Sequence, residues 1–437
     1  MKIPQVFCIE VEHSPGNLAS VLAEVGKAGL TVEGLEAISR TEDRTLWELT
    51  LDMEVGQHDA LTRALASLPI VNVLGISDRV FDRHEGGKIH TQPKAPISSV
   101  RMLRDVYTPG VARVCLKIQE EPEAAARYTN IARSVAIVTN GTAILGLGNI
   151  GAVAGMPVME GKAALFHQLA DLSGIPILIE DLDADRIVET TAAIAPTFGA
   201  IQLEDIRAPE CFEIERKLQE RLSIPVLHDD QHGTAVVTLA ALLNGTARAG
   251  RDLSSLVVGQ IGLGAAGIGI GSLLSGMGVK ELLGSDLNED ARTRFEELGG
   301  KTGTLEELMA RADVIIATTG VPGLIKPEMV RKGQMIFALS NPDPEICPHL
   351  ARELGAAFAA DGRNINNVLG FPGLFRGALE AGARRFTTEM LLAAARTIAE
   401  CADGEALVPN PLERAVHDRV SEAVKEAALA SDARGQG

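Results

Sequence analysis

SLVVGQIGLGAAGIGIGSLL, residues Ser255–Leu274, is the stretch on which the fold turns. An apolar run, Leu256–Ile261, leads into Gly262, Gly264 and Gly267 in the spacing G-x-G-x-x-G, and a helix-compatible run follows. In a strand–turn–helix unit the first two glycines permit a tight turn and close approach of a pyrophosphate. The third lets the helix pack on the strand, and the phosphates meet free N–H groups at the helix N-terminus. The next strand-like run, ELLGSDL, ends at Asp286, about twenty residues on. A carboxylate there accepts hydrogen bonds from both ribose hydroxyls and repels a 2′-phosphate, which favours NAD over NADP. Arg292 and Arg294 follow closely and pull the other way. DVIIATTG (313–320) and QMIFALSNPDPE (334–345) end two later strands of the same kind, at the carboxyl edge where ligands bind.

Outward from this unit, strand-like and helix-like segments alternate from about Ser98 to the end of the chain, the pattern of an α/β fold with parallel sheets. The 437 residues suffice for two or three domains. Hydrophobic residues at 46% and charged residues at 23% place the chain in the globular class and exclude disorder. A net charge of −17 argues against nucleic acid as a partner, because phosphate binding needs a basic face. Five scattered cysteines with no CxxC pair predict no disulfide framework and a reducing, cytoplasmic setting. Glu10 and Glu12 interrupt what would be the apolar core of a signal peptide. Leu253–Val279 carries no charge and is long enough to span a bilayer. Its glycines favour strand, turn and buried helix instead, so no membrane partner is expected.

Two strand-like runs end in paired carboxylates. GAIQLED (199–205) ends in Glu204 and Asp205; IPVLHDDQHGTAVV (224–237) carries Asp229 and Asp230 between His228 and His232. Either pair alone fits a helix N-cap or a solvated strand end. Parallel strands present their C-terminal ends at one edge, so the pairs converge, and like charges sharing a site repel. A divalent cation removes that repulsion, and oxygen donors select Mg²⁺ or Mn²⁺ rather than zinc. The histidines lack a third nitrogen or sulfur ligand nearby and read as supporting residues. Alternation along a strand would point Asp229 and Asp230 to opposite faces. Tyr107 precedes a Thr-Pro-Gly turn, and Lys162 follows a glycine-rich loop at the start of an apolar helix.

The first eighty residues read as a βαββαβ unit. VFCIEVE alternates like a strand, Leu18, Val21, Leu22 and Val25 lie on one helical face, and IVNVLGISDRVF closes the unit as a strand. With its SPGNL turn (14–18), the unit resembles an ACT regulatory domain. The polar, Gly- and Pro-containing DRHEGGKIHTQPKAP (82–96) reads as a connector.

From about Gly87 to Asn410, the ordered series YTPGVA, GLGNIGAVAGMPVMEGKAALF, LEDI, HDDQHGTA, GLGAAG, SNPDPE and NNVLGFPGLFRGAL resembles malic enzyme, closer to its shorter bacterial form. The resemblance implies residues 98–231 as the substrate and metal domain and 232–437 as a Rossmann-like NAD-binding domain with C-terminal helices. Residues 1–81 precede them as the ACT-like unit, with 82–97 as linker. It further implies Tyr107 as general acid, Lys162 as general base and Asp229 as the partner of that lysine. Glu204, Asp205 and Asp230 become metal ligands. Asn341 and Asn367 bind malate, Asn341 also standing near the nicotinamide ribose. Gly262, Leu263, Gly264, Ala265, Ala266 and Gly267 form the pyrophosphate turn, with Asp286 and Thr319 completing the cofactor contacts. Lys162 is expected neutral, poised to take the hydroxyl proton of malate. Ala143 stands where longer members carry a carboxylate-gripping arginine. The implied activity is NAD-linked oxidative decarboxylation of L-malate to pyruvate, by a homodimer or higher homo-oligomer. A malolactic enzyme and a silent NAD or amino-acid sensor are the alternatives. The ACT resemblance implies a small effector, such as an amino acid.

Overall fold

The computed structural model describes residues 2–431 apart from 55–56, 78, 145, 342 and 363–364. The C-terminal VKEAALASDARGQG (424–437) reads in sequence as a fraying end; residues 424–430 are instead helical, and 432–437 lie outside the described residues. The chain divides into two compact units, Met1–His90 and Thr91–Gly437.

In the first unit the strand and helix periods of the sequence are realised as one covered sheet face. β1 (Lys2–Glu12), β2 (Thr31–Arg40), β3 (Arg44–Glu54) and β4 (Val71–Ser77) pair antiparallel in the order β2-β3-β1-β4. α1 (Asn17–Lys27) and α2 (His58–Ala66) follow β1 and β3. Alternate residues Phe7, Ile9 and Val11 of β1, with Leu49, Leu51 and Met53 of β3, join Val21, Val25, Leu61 and Leu65 of the helices in one core. Edge strand β2 is exposed along nearly its whole length. The βαββαβ order stands as expected, with one correction: the last strand stops at Ser77. The chain then turns into a short helix, α3 (Arg79–His84), so the connector begins helical; Arg83 lies in its last turn, where a cation suits the helix dipole.

The second unit opens with three short helices, α4 (Val100–Val106), α5 (Val111–Glu120) and α6 (Ala124–Tyr128). A four-stranded parallel sheet follows, built from β5 (Ser134–Thr139), β6 (Ser173–Leu178), β7 (Ala200–Leu203) and β8 (Val226–His228) in the order β6-β5-β7-β8. α7 (Met156–Ala170), α8 (Ala184–Ile194) and α9 (Glu210–Arg221) are its crossovers. Register places Leu203 beside His228, so the residues after them, Glu204–Asp205 and Asp229–Asp230, leave the sheet at one edge.

The long helix α10 (Asp229–Arg248) carries the chain to a six-stranded parallel sheet. Its strands are β9 (Val257–Ile261), β10 (Glu281–Ser285), β11 (Lys301–Thr302), β12 (Val314–Ala317), β13 (Met335–Ala338) and β14 (Phe358–Asp361). The order β11-β10-β9-β12-β13-β14 is that of the doubly wound dinucleotide-binding fold. α11 (Ala265–Met277), α12 (Glu289–Glu297), α13 (Leu305–Arg311) and α14 (Pro348–Glu353) alternate with these strands, and α15 (Phe371–Ala381), α16 (Thr388–Glu400) and α17 (Arg414–Ala430) complete the unit. Ile261, Ser285, Ala317, Ala338 and Asp361 line up across the sheet, so every loop of interest leaves from one edge. The boundary expected between residues 231 and 232 falls inside α10. That helix begins at the carboxylates of one sheet and packs on the nucleotide helix of the next. At the crossing, a Cβ on Gly269 of α11 would lie 2.2 Å from the Gln231 carbonyl oxygen of α10. The uncharged Leu253–Val279 stretch folds as a 3-10 turn, β9 and α11. Among the described residues no helix is long and apolar enough to cross a membrane.

Candidate active site

Asp229 and Asp230 are not strand residues. β8 ends at His228, the extended N-cap, and the two aspartates open α10. Their like charges therefore sit at the positive end of a helix dipole, and successive helical positions diverge by about 100°. This divergence, rather than strand alternation, sends them to different partners. Gly233, one turn on, makes the arrangement possible: a Cβ there would stand 2.0 Å from Asp229 Oδ1.

Asp229 is fully buried and binds Lys162 Nζ through Oδ2. Asn367 Nδ2 donates to the same oxygen at 2.8 Å. Lys162, itself 8% exposed, also lies 3.1 Å from Glu204 Oε1. Its ammonium stands 4.4 Å from the centroid of the Phe371 ring, a cation–π contact. Asp230 turns the other way. Its Oδ2 accepts the Asp205 N–H at 2.8 Å, with His228 Nε2 at 3.2 Å. Gln202 Nε2 donates to Glu204 Oε2 at 2.6 Å. One carboxylate oxygen each of Glu204, Asp205 and Asp230 lies within 4.8 Å of the others. Asp205 adopts the left-handed backbone region at φ 53, which favours few side chains and marks a position held by its surroundings.

The electrostatics leave this cluster short of positive charge. Burial, followed by the Asp230 charge, pushes the Asp205 carboxyl up to about 7. Burial likewise lifts Glu204 well above the usual carboxylate range, against the pull of Lys162. Asp205 Oδ2 is buried and makes no hydrogen bond among the described residues. An all-oxygen donor set with a spare lone pair and repelling charges fits a hard divalent cation, Mg²⁺ or Mn²⁺. Lys162 feels opposing influences while these carboxylates are uncompensated. Burial favours its neutral form, but Asp229, Glu204 and Asp230 outweigh burial and hold the ammonium above its ordinary range. The histidines support rather than ligate: Glu215 accepts the His228 backbone N–H at 2.8 Å and faces His232 Nε2 at 3.1 Å.

At the second sheet, Gly262 has φ 85, and a Cβ on Gly267 would meet the Gly262 carbonyl oxygen at 1.9 Å. Gly264 instead faces open space at the N-terminus of α11, where a pyrophosphate fits. Leu263, Ala265 and Ala266 complete that turn. Asp286 at the end of β10 accepts the Leu263 N–H at 2.7 Å and the Asn288 N–H at 2.8 Å, which aims its carboxylate at the glycine turn. Arg292 is tied to the Asp286 and Leu287 carbonyl oxygens at 2.8 and 3.3 Å. Thr319 and Asn341 leave the ends of β12 and β13 on the same edge.

Lys162, Glu204, Asp205, Asp229, Asp230 and Asn367 are thus brought together. Tyr107 is not. It caps α4, is 67% exposed and makes no hydrogen bond to any of them. Three contributions escaped sequence reasoning: the Phe371 ring over Lys162, the space left by Gly233, and a buried glutamate behind the cofactor edge, Glu345. Only Glu345 had a visible signal, as an acidic residue closing the strand-end motif SNPDPE.

A dinucleotide-binding sheet joined through one helix to a buried lysine–carboxylate site defines the class: an α/β oxidoreductase with a Rossmann-like domain. The malic enzyme N-terminal domain model matches residues 86–183 and 180–219, and the malic enzyme NAD binding domain model matches 358–429. NAD-dependent malic enzyme 1 of Bacillus subtilis is 52% identical over 97% of this chain and 98% of its own. NAD-dependent malic enzyme of Geobacillus stearothermophilus is 42% identical over 96% and 93%. The crystal structure of malic enzyme from Pyrococcus horikoshii superimposes with a TM-score of 0.75 at 40% identity, covering 80% of this chain and 89% of that one. The chain belongs to the malic enzyme family.

Proposed function

We propose that this protein oxidatively decarboxylates L-malate to pyruvate and CO₂, reducing NAD⁺ and depending on a divalent cation. The observation that carries the reading is Lys162 buried against Asp229 beside the Glu204–Asp205–Asp230 cluster. The names of its full-length relatives support the same activity. When bound, the cation supplies Lewis-acid polarisation of the C2 oxygen and NAD⁺ supplies the hydride acceptor. With the three ligand carboxylates compensated, Lys162 retains Asp229 as its main counter-charge, and the carboxylate support for its ammonium falls. Lys162 gives up its ammonium proton in that setting, and as the neutral amine takes the proton of the C2 hydroxyl as hydride leaves C2 for NAD⁺. The C3–C4 bond breaks, its electron pair remains on pyruvate as the enolate, and Tyr107 delivers a proton to C3. Asn367, fixed by Asp229, and Asn341 orient the substrate carboxylates.

Tyr107 must reach this buried site from a surface helix. α4 and α5 bury none of their residues and expose Val100, Leu103, Val106 and Leu116. We infer a homodimer in which these helices are covered by a second copy. The first unit is read as an ACT-type domain that binds a small effector, for which the exposed β2 edge and the βαββαβ order speak.

NADH formation from malate, NAD⁺ and Mn²⁺, with pyruvate measured alongside, tests the activity. No turnover in that assay would leave a silent sensor. A relative 41% identical, covering 78% of this chain, is named bifunctional malic/malolactic enzyme. Lactate formed without net NADH would therefore move the reading to the malolactic reaction.

A further inference from the structure

Glu345 lies 0% exposed behind the cofactor edge. Its carboxylate accepts four hydrogen bonds: from Thr319 N at 2.7 Å and Oγ1 at 2.8 Å, and from Ser340 Oγ at 2.6 Å and N at 3.4 Å. These donors come from two different strand ends, Thr319 after β12 and Ser340 after β13. The hydroxyls extend the lattice. Ser340 Oγ donates to Glu345 and accepts the Gly320 N–H at 2.8 Å; Thr319 Oγ1 donates to Glu345 and accepts the Val321 N–H at 3.1 Å. Three successive N–H groups of the β12 loop, at 319, 320 and 321, are thereby turned inward. Backbone bonds from Gly323 N to Pro344 O at 3.2 Å and from Ile325 N to Glu345 O at 3.1 Å extend the tie. Asn341, next to Ser340, reaches across to the Gly362 carbonyl oxygen at 3.5 Å.

We propose that Glu345 is a positioning residue for the dinucleotide: it holds the loops after β12 and β13 at one spacing, and so sets Thr319 and Asn341 against the bound cofactor. A loop whose N–H groups are committed inward cannot close on a phosphate with them. It holds its ligand by shape and by the side chains it presents, and that shape depends on one carboxylate. The metal cluster lies on the other sheet, and none of its hydrogen bonds involves Glu345. The proposal rests on reading this edge as the NAD site.

Full-length Glu345→Ala and Glu345→Gln proteins test it, by NADH fluorescence titration and by electron paramagnetic resonance of free Mn²⁺. Alanine leaves four donors without an acceptor, and the NADH dissociation constant should rise about tenfold or more. Glutamine keeps one acceptor oxygen, and the rise should be about threefold. Mn²⁺ affinity should stay within about twofold of wild type in both. Should the alanine variant fail to fold, the glutamine variant decides. NADH binding within experimental error of wild type overturns the proposal. So does an equal loss of NADH and Mn²⁺ affinity, which would mean general loosening. A wild-type protein that binds no NADH overturns the NAD reading itself.

Discussion

Asp205→Asn removes one charge from the carboxylate cluster and almost nothing else. Asparagine tolerates the left-handed backbone of position 205 as aspartate does, and its side chain has the same shape. Burial and Asp230 lift the Asp205 carboxyl from 3.8 to about 7, so the folded protein keeps a proton that the unfolded chain has already lost. Without a cation, the contribution of Asp205 to stability is most favourable below pH 4 and falls as pH rises toward 7. At about 1.4 kcal/mol per pH unit, the raised value costs about 4 kcal/mol at pH 8, where the side chain is ionised, and about 1–2 kcal/mol at pH 5, where it must hold a proton. The asparagine variant carries no such penalty. In excess chelator its stability advantage over wild type should therefore grow by about 2–3 kcal/mol between pH 5 and pH 8. Urea unfolding followed by circular dichroism at both pH values measures that growth. Added Mn²⁺ should then stabilise wild type at pH 8 and leave the variant little changed. An advantage that stays constant across this range would refute the argument, because it would trace to hydrogen bonding rather than to a buried charge.

Lys162→Ala should lower the rate of NADH formation by about 10²–10⁴-fold while Mn²⁺ still binds, whereas Tyr107→Phe should retain some oxaloacetate reduction; steady-state and stopped-flow assays separate the two. Gly233→Ala drives a methyl group into Asp229 Oδ1, 2.0 Å away, and should cut turnover at least about 10²-fold with NADH affinity intact. Gly267→Ala meets the Gly262 carbonyl oxygen at 1.9 Å and should abolish NADH binding, read by fluorescence titration, while Mn²⁺ binding persists.

Much of the fold was legible because its signals are local. The spacing of Gly262, Gly264 and Gly267 between an apolar run and a helix describes one turn of chain, and the sheet built around it has the expected strand order. The acidic endings at Glu204–Asp205 and Asp229–Asp230 were legible for the same reason, and parallel pairing brings them together. The secondary structure of Asp229 and Asp230 was misread because three residues of strand, Val226–His228, pass into helix with no cap side chain or proline to mark the change. The charge on Lys162 was not legible because it depends on carboxylates outside its own helix.

By itself the sequence determined the α/β class, the nucleotide turn and the acidic strand ends, since each depends on neighbours a few positions apart. Only the tertiary structure decided how those residues divide the work. Lys162 meets Asp229 across 67 positions, and Asn367 meets it across 138. Whether adjacent carboxylates repel, ligate or pair is fixed by which counter-charges fold around them and how much water remains. That is why Asp229 faces the lysine, Asp230 faces Asp205, and the Glu345 carboxylate holds two loops through hydrogen bonds from Thr319 and Ser340.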